Sequence, residues 1–319
     1  MAKQKTITIS FLIFTIIFFI ISCTTTPYNI PFDPRNPYPG KEILRFPNSQ
    51  TYLFRNNESN KLIIILEGSG WTSVLGEKQD DIWITVKLGS QFLQELRDYY
   101  SILIPEKLNR QPGANHIDDM EDRANYTAEN LLIGYLESIN GFLANNHYSS
   151  IVLIGASESA ALLPLVYERM INKDNVIAMV SIAFGGLSWY ESFEVLSREP
   201  GLPQEFTDMY NDHLTLFNPE NNEFPDCYEI DYYGLTKRYY KSFMHIRPFD
   251  YYKNINIPIL FIHGIRDFNL PVESTIYIQE NLPDKPFEFR YFHNWDHQPR
   301  ELNDIIQFRR LIADWILML

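Results

Sequence analysis

The sequence has 319 residues, 45% of them hydrophobic, so it can bury the core of one large domain. Its 40 acidic against 27 basic residues give a net charge of −13, which argues against a nucleic acid as partner. No cysteine and histidine cluster has metal-ligand spacing and no glycine-rich phosphate loop is present, so the sequence predicts no metal and no other cofactor.

The first 23 residues have the features of an export signal. Lys3 and Lys5 precede an apolar run over residues 7–21, and Ser22 and Cys23 follow the run. This ending resembles the lipobox of bacterial lipoproteins. The resemblance implies that residues 1–22 are a signal peptide, and that Cys23 carries the lipid, palmitate for example, that anchors the protein to a membrane. The alternative is an uncleaved membrane helix, for which the run is somewhat short.

Residues 23–40 are rich in threonine and proline and show no core-forming pattern, which predicts a tether. Thr24 rather than Asp follows the cysteine. By the sorting tendency of enterobacterial lipoproteins this favours the outer membrane, so we expect a location in a bacterial cell envelope, on the outer membrane or the periplasmic face. The other cysteine is Cys227, and a lipidated Cys23 leaves it without a disulfide partner.

Short apolar runs predict the first strands of a sheet. Residues 42–46 and 51–55 indicate an antiparallel pair, and residues 61–66 form a buried strand that leads into Glu67-Gly68-Ser69-Gly70-Trp71. The two glycines would let the backbone approach a substrate closely, although a plain glycine turn is the alternative. A strand at 101–105 and an amphipathic helix at 124–145 follow, and this alternation predicts a parallel sheet.

Residues 151–161 combine a strand, a sharp turn and a helix. The apolar run 151–154 ends at Gly155, Ser157 stands at the apex of the turn, and a helix-favouring run begins near Ala160. This is the context of a nucleophile elbow, G-x-S-x-G, except that Ser159 occupies the fifth position. Ser is nearly as small as Gly, so the departure weakens the pattern without removing it. The alternative is an ordinary turn in which Ser157 caps the helix.

The remaining strands each lead into a polar residue suited to catalysis. A strand at 176–183 ends at a Gly-Gly pair, and a strand at 257–262 leads through His-Gly to Asp267. A turn-forming role is the alternative for Asp267. The last strand, 287–292, is followed by His297, which we prefer as a base to His293 because His293 lies nearly against the strand. A terminal helix presents a face of Ile305, Phe308, Ile312, Trp315 and Leu319.

In residues 41–319, Ser157, Asp267 and His297 follow each other in the order of nucleophile, acid and base that α/β-hydrolases use. The chain therefore resembles an α/β-hydrolase. The resemblance implies a mostly parallel central sheet flanked by helices, with 41–187 and 253–319 as the core and 188–252 as a lid insertion after the sixth strand. It also implies an oxyanion hole made by the N–H groups of Ser69 and Glu158.

The predicted insertion is aromatic and acidic. Residues 188–252 contain 12 Asp or Glu against 5 Lys or Arg. These features favour a lid over an aromatic pocket that disfavours anionic substrates and favours neutral or cationic ones. The alternative is a small helical subdomain that uses its aromatic residues as its own core.

These features predict a lipid-anchored serine hydrolase that cleaves carboxylic esters through an acyl-enzyme. Two alternatives stay open. One is a peptidase of the same fold, aminopeptidase-like, whose acidic lid binds a substrate amine. The other is a non-catalytic surface lipoprotein on a hydrolase scaffold, since the fold alone does not guarantee activity.

Overall fold

The computed structural model describes residues 38, 40–70, 73–75, 78–79, 82–83, 96–107, 120–220, 229–231, 234–299 and 301–319. The predicted signal peptide, Cys23, Cys227 and Trp71 lie outside the described residues, as does the predicted tether apart from Tyr38 and Gly40. Within the described part, no helix is both long and apolar enough to cross a membrane.

Eight strands form one central sheet in the order β1-β2-β6-β3-β7-β8-β9-β10. Their bounds are Lys41–Arg45 (β1), Gln50–Phe54 (β2), Lys61–Leu66 (β3), Ser101–Pro105 (β6), Ser150–Ala156 (β7), Val176–Ile182 (β8), Ile259–Gly264 (β9) and Phe287–Phe292 (β10). A two-stranded ribbon of Lys78–Gln79 (β4) and Ile82–Trp83 (β5) is separate. β2 pairs antiparallel with β1 and β6, and every other pair in the large sheet is parallel.

The predicted strands are all present, with shifts of up to two residues at their ends. The largest shift is in β9, which begins at Ile259 and continues through His263 to Gly264. Parallel strands covered on both faces read as continuous apolar runs, and β3 and β7 have this pattern because both of their faces are buried. β10 lies at the edge and alternates partly buried with exposed residues over most of its length.

Nine α-helices among the described residues flank the sheet. They are Met120–Asn125 (α1), Ala128–Leu143 (α2), Glu158–Arg169 (α3), Trp189–Leu196 (α4), Gln204–Leu216 (α5), Lys237–Met244 (α6), Phe249–Tyr252 (α7), Glu273–Asn281 (α8) and Leu302–Leu317 (α9). The single helix predicted over 124–145 is wrong at its start. Thr127 has an extended backbone and its hydroxyl accepts the Asn130 N–H at 3.3 Å, so it separates α1 from α2 and caps the second helix.

The two faces of the sheet bury separate hydrophobic clusters. One cluster includes Ile64 of β3 and Leu153 of β7, packed with residues of α2 and α3, while the other cluster joins the opposite face to α9. The predicted apolar face of α9 fails at Leu319, which lies beyond the end of the helix and is exposed. Most of that face packs against the sheet, through the buried side chains of Phe308, Ile312 and Trp315.

Helices α4 to α7 occupy the stretch between β8 and β9 in which the sequence predicts a lid. α4 begins with a capping box, in which the Ser188 hydroxyl accepts the Glu191 N–H and the Glu191 carboxylate accepts the Ser188 N–H. Trp189 of α4 stacks on Phe243 of α6 with ring centroids 4.7 Å apart. These aromatic residues belong to the same hydrophobic cluster as α2 and α3. The division of the chain into a core and an insertion stays a prediction.

Candidate active site

The elbow residue, Ser157, lies between β7 and α3 in a strained backbone conformation. Its φ of 54° and ψ of −119° are unfavourable for a residue with a side chain. The Ser157 N–H donates to the Ile182 carbonyl at 2.8 Å, which ties the turn to the end of β8. A Cβ at Gly155 would lie 3.0 Å from the Ser159 carbonyl oxygen and 3.2 Å from the Ala160 Cα, so a side chain there would crowd the first turn of α3. The turn thereby presents the Ser157 side chain at the carboxyl edge of the sheet.

Ser159, the departure from the elbow pattern, is fully buried and hydrogen bonded. Its hydroxyl lies 2.6 Å from the Leu66 carbonyl oxygen, to which it donates, and accepts the Ala156 N–H at 3.0 Å. The side chain therefore joins the elbow to the end of β3. A hydroxyl does here what a glycine cannot, which explains why the fifth position tolerates Ser.

Ser157, His297 and Asp267 form one hydrogen-bonded chain. His297 Nε2 lies 2.8 Å from Ser157 Oγ, and His297 Nδ1 lies 2.8 Å from Asp267 Oδ2. With Asp267 ionised, Nδ1–H donates to the carboxylate and Nε2 accepts the Ser157 hydroxyl proton. The structure thus brings the three predicted catalytic side chains together, although they are up to 140 residues apart in the sequence.

The carboxylate of Asp267 is held in its ionised form. Its other oxygen, Oδ1, accepts the N–H groups of Asn269 at 2.9 Å and Leu270 at 3.0 Å. Burial by itself raises the pKa of Asp267, but the facing charge of His297 and the hydrogen bonds from the His263 and His297 side chains outweigh it, and the pKa is well below its ordinary value. The same pair raises the pKa of His297: burial lowers it, and the Asp267 charge and hydrogen bond outweigh burial.

A second histidine, His263, contacts the acid, and the sequence did not indicate it as a site residue. His263 is buried in β9, and its Nε2 lies 2.9 Å from the Leu270 carbonyl oxygen and 3.3 Å from Asp267 Oδ2. Its Nδ1 lies 2.8 Å from Thr275 Oγ1. A polar residue at the end of an apolar strand, four positions before Asp267, is the signal that could have indicated it. The rejected candidate, His293, is exposed.

The two predicted oxyanion donors belong to the loop after β3 and to the elbow itself. A Cβ at Gly68 would be 3.2 Å from the Ala156 carbonyl oxygen and 3.3 Å from the Ser157 Cβ, so the loop after β3 touches the elbow. Ser69 lines the same cavity as Ser157, and Glu158 is the first residue of α3. Within the part of the chain that the structure describes, neither the Ser69 nor the Glu158 N–H has a hydrogen-bond acceptor. Both donors are therefore available to a substrate oxygen.

The Glu158 side chain points away from this role and is satisfied elsewhere. It is fully buried, and its two carboxylate oxygens accept the hydroxyl protons of Tyr126 at 2.8 Å and Tyr239 at 2.5 Å. Burial, with the neighbouring charge of Glu158, raises the pKa of Tyr239 well above its ordinary value. Tyr239 therefore remains a neutral donor. Both tyrosines are distant from Glu158 in sequence, and no local pattern indicated their partnership with it.

A cavity of about 240 Å³ opens onto Ser157 and His297. Helices α4, α5 and α6 and the loop before α6 supply most of its walls, which are apolar or aromatic: Trp189, Phe193, Met209, Tyr210, Leu235, Tyr239 and Tyr240. No Asp or Glu side chain lines it among the described residues. In the same part of the chain, no three His, Cys, Asp or Glu side chains converge as metal ligands.

Comparison with known proteins identifies the fold. No protein-family model matches the chain. It is 29% identical over 87 residues to an uncharacterized peptidase, YtmA, of Bacillus subtilis (strain 168), a stretch that covers 26% of this chain and 33% of the relative. Among solved structures, an acylaminoacyl peptidase of Pyrococcus horikoshii matches with a TM-score of 0.57 and 16% identity, over 86% of this chain and 41% of the peptidase. An esterase of Pyrococcus furiosus matches with a TM-score of 0.57 and 12% identity, over 92% of this chain and 95% of the esterase.

These matches show that the chain has the α/β-hydrolase fold. The predicted fold class, a mostly parallel sheet flanked by helices, is therefore confirmed. The chain spans about a third of the curated relative and less than half of the acylaminoacyl peptidase. The neighbours include both esterases and peptidases, so the fold does not choose between these two activities.

Proposed function

We propose that the protein is a lipid-anchored serine hydrolase that cleaves neutral carboxylic esters. The observation that carries this proposal is the continuous chain from Ser157 Oγ through His297 to Asp267, with both hydrogen bonds at 2.8 Å. A serine hydroxyl is a weak nucleophile until a neighbouring imidazole accepts its proton. The strained elbow and the open cavity above it supply the exposure that such a nucleophile needs.

The reaction would proceed through an acyl-enzyme. His297 Nε2 takes the proton of Ser157 as Oγ attacks the ester carbonyl carbon, and Asp267 stabilises the resulting imidazolium. The Ser69 and Glu158 N–H groups bind the negative oxygen of the tetrahedral intermediate, a contribution of about 3–4 kcal/mol per donor in other enzymes. The intermediate collapses as the imidazolium gives its proton to the leaving alkoxide. Water then attacks the acyl carbon with His297 as base, and the second tetrahedral intermediate collapses as the imidazolium returns its proton to Ser157 Oγ and the carboxylic acid leaves.

The cavity supports neutral substrates over charged ones. Its described walls carry no carboxylate, and the nearby Glu158 carboxylate is occupied by two tyrosine hydroxyls. A protonated amine bound there would lose its hydration without a carboxylate to pair with. At about 240 Å³ the cavity is smaller than the roughly 300–1,000 Å³ of pockets for drug-sized ligands, so it suits one short or compact apolar acyl group. Of the neutral and cationic substrates that the sequence favours, we therefore propose the neutral ones.

A peptidase of the same fold is the second candidate, and the similarity to YtmA and to the acylaminoacyl peptidase favours it. The test is turnover of p-nitrophenyl acetate and butyrate beside aminoacyl and N-acetyl-aminoacyl p-nitroanilides. We expect turnover of the esters and little of the free-amine anilides. Turnover of the anilides alone would contradict the esterase proposal.

The nucleophile can be tested without knowing the substrate. The protein lacking residues 1–23 would be treated with a fluorophosphonate probe beside Ser157→Ala and Ser159→Ala. We expect Ser157→Ala to abolish labelling and Ser159→Ala to retain it. Labelling lost only in Ser159→Ala would move the nucleophile, and no labelling of folded wild-type protein would favour a non-catalytic lipoprotein.

The anchor is a separate part of the proposal and rests on the lipobox resemblance of residues 1–23. The full chain would be expressed in a bacterium fed an alkyne-tagged palmitate, beside Cys23→Ser and, as a control, Cys227→Ser. We expect the tag and a membrane location in wild type and Cys227→Ser. Loss of both in Cys23→Ser would support lipidation there, whereas membrane retention of an untagged Cys23→Ser protein would favour an uncleaved helix.

A further inference from the structure

A buried lysine holds the loop that carries the first oxyanion donor. Lys107 follows β6 and is only 2% exposed. Its ammonium group donates to the Gly68 carbonyl oxygen and to the Gly70 carbonyl oxygen, the latter at 3.0 Å. These two carbonyls flank Ser69. Lys107 therefore binds the loop on both sides of Ser69, whose N–H is an oxyanion donor in the proposed reaction.

The geometry of the peptide bond lets these two hydrogen bonds fix the direction of the Ser69 N–H. The Gly68 carbonyl and the Ser69 N–H belong to one peptide unit, which is planar and trans, so the two groups point in opposite directions. Fixing the carbonyl against the Lys107 ammonium therefore fixes the direction of the N–H on the other side. The contact of Gly68 with the elbow sets the distance of this unit from Ser157.

The positive charge also affects the strength of the donor. A hydrogen bond from an ammonium group is roughly twice as strong as one between neutral groups. Hydrogen bonds in series polarise one another, so a charge on the carbonyl oxygen of a peptide unit makes its N–H a better donor. Lys107 acts on both properties that an oxyanion hole requires, which are the direction of the donor and its partial charge.

Lys107 is itself held in place by its neighbours. The adjacent Glu106 is buried, and its carboxylate accepts the N–H groups of Val74 at 3.1 Å and Lys107 at 2.8 Å and the Tyr52 hydroxyl at 3.0 Å. The Lys107 ammonium lies 5.5 Å from the centre of the Tyr126 ring, a distance suited to a cation–π contact. The lysine therefore has a fixed base at the end of β6.

We propose that Lys107 is a positioning residue for the oxyanion hole, which aims and polarises the Ser69 N–H through the Gly68 carbonyl. The inference rests on the proposed function. It makes Lys107 part of transition-state stabilisation although it touches no reacting atom. Its removal should therefore weaken binding of the transition state much more than binding of the substrate.

The test compares Lys107→Met and Lys107→Arg with Lys61→Met, a control at the opposite end of β3 whose ammonium lies over the Tyr100 ring at 5.4 Å. Steady-state kinetics with p-nitrophenyl butyrate and inhibition by a phenylalkyl trifluoromethyl ketone, which forms a tetrahedral adduct, would be measured. Loss of a whole oxyanion donor costs about 10²–10³-fold in kcat, and a misdirected donor should cost less. We expect Lys107→Met to lower kcat and to weaken binding of the ketone inhibitor, each by about 10–100-fold. KM should change by less than about threefold, since substrate binding does not depend on the oxyanion donor.

Lys107→Arg keeps the charge and the donors and should recover part of kcat and of the ketone affinity, while Lys61→Met should match wild type. If Lys107→Met does not fold, as judged by circular dichroism, Lys107→Gln takes its place, with a loss of about tenfold expected. Unchanged kcat and ketone affinity in a folded variant would overturn the inference, as would an effect on KM alone. Fluorophosphonate labelling of wild type at Ser157 separates this failure from that of the proposed function, because absent labelling refutes both and intact labelling confines the failure to Lys107.

Discussion

Replacing Asp267 by Asn tests how the site controls the His297 proton. The variant side chain can still accept the Asn269 and Leu270 N–H groups with its oxygen, at the positions now 2.9 and 3.0 Å from Oδ1. Its NH2 group then faces His297 Nδ1, where the carboxylate oxygen now lies at 2.8 Å. A donor at that position makes Nδ1 the acceptor and puts the imidazole proton on Nε2. In this tautomer His297 cannot accept the Ser157 proton.

The expected loss follows from this tautomer. In a serine protease with the same arrangement of side chains, the Asp→Asn change lowers kcat about 10⁴-fold, and we expect about 10³–10⁴ here. That corresponds to roughly 4–5.5 kcal/mol of transition-state stabilisation. The two backbone contacts survive, so the free energy of unfolding should fall by only about 1–3 kcal/mol, because the buried His263 side chain then faces an amide.

The assay is the rate of p-nitrophenyl ester turnover together with the rate of fluorophosphonate labelling at Ser157. Asp250→Asn is the matched control, because Asp250 is an exposed carboxylate whose ion pair with Lys253 lies away from the cavity. Both rates should fall in Asp267→Asn and stay at the wild-type level in the control. A folded Asp267→Asn protein within about tenfold of wild type would refute the tautomer argument.

Three further predictions concern the pH dependence, the elbow and the Glu158 site. Only neutral His297 can accept a proton, and the pKa of His297 is raised. In a pH–rate profile, kcat/KM should therefore increase with pH through an inflection above about 6.5. The inflection should move to lower pH in Asp267→Asn, which lacks the carboxylate charge. The raised pKa makes the folded state favour protonated His297, so its contribution to stability is complete below the unfolded pKa and is lost as pH rises through the folded pKa. Ser159→Gly should keep kcat within about threefold but lower the free energy of unfolding by about 1–2 kcal/mol, measured by urea denaturation, because the hydrogen bond to the end of β3 is lost. Tyr239→Phe leaves a buried carboxylate with one hydroxyl donor fewer, so it should cost about 1–3 kcal/mol in the same assay, whereas no change would show that Glu158 finds another donor.

The sequence was sufficient for the sheet and for the three residues of the hydrogen-bonded chain, for a physical reason. Buried parallel strands must be apolar on both faces, and polar residues follow where such strands end at the carboxyl edge. Ser157 and Asp267 follow the buried apolar strands β7 and β9, and His297 follows the edge strand β10, which is parallel to β9, so all three lie at the same edge of the sheet. The shift in β9 changed none of this, because a strand that ends two residues later still ends at the same edge.

The sequence did not indicate the residues that support the site, because tertiary packing determines their partners. Lys107 meets Gly68 and Gly70 only because β6 lies beside β3, a pairing that crosses more than 30 residues of sequence. Glu158 was predicted as a donor through its N–H, whose position the elbow determines. The fate of its carboxylate depends on Tyr239, 81 residues away. A local sequence pattern therefore identifies which residue supplies a backbone donor. The direction of that N–H group and its electrostatic surroundings depend on which strands and helices are neighbours in the fold.

The aromatic segment between β8 and β9 contacts both the cavity and the elbow helix. Tyr239 belongs to α6, lines the cavity with its ring and donates its hydroxyl to Glu158, whose N–H is the second predicted oxyanion donor. The Tyr239 side chain thus forms part of the cavity wall and also contacts Glu158, the first residue of α3. A movement of α6 could not leave Glu158 unaffected, since a buried carboxylate that loses a donor is costly. The aromatic residues of this segment therefore both pack in a hydrophobic cluster and line the cavity, while the lid that the sequence predicts stays a prediction.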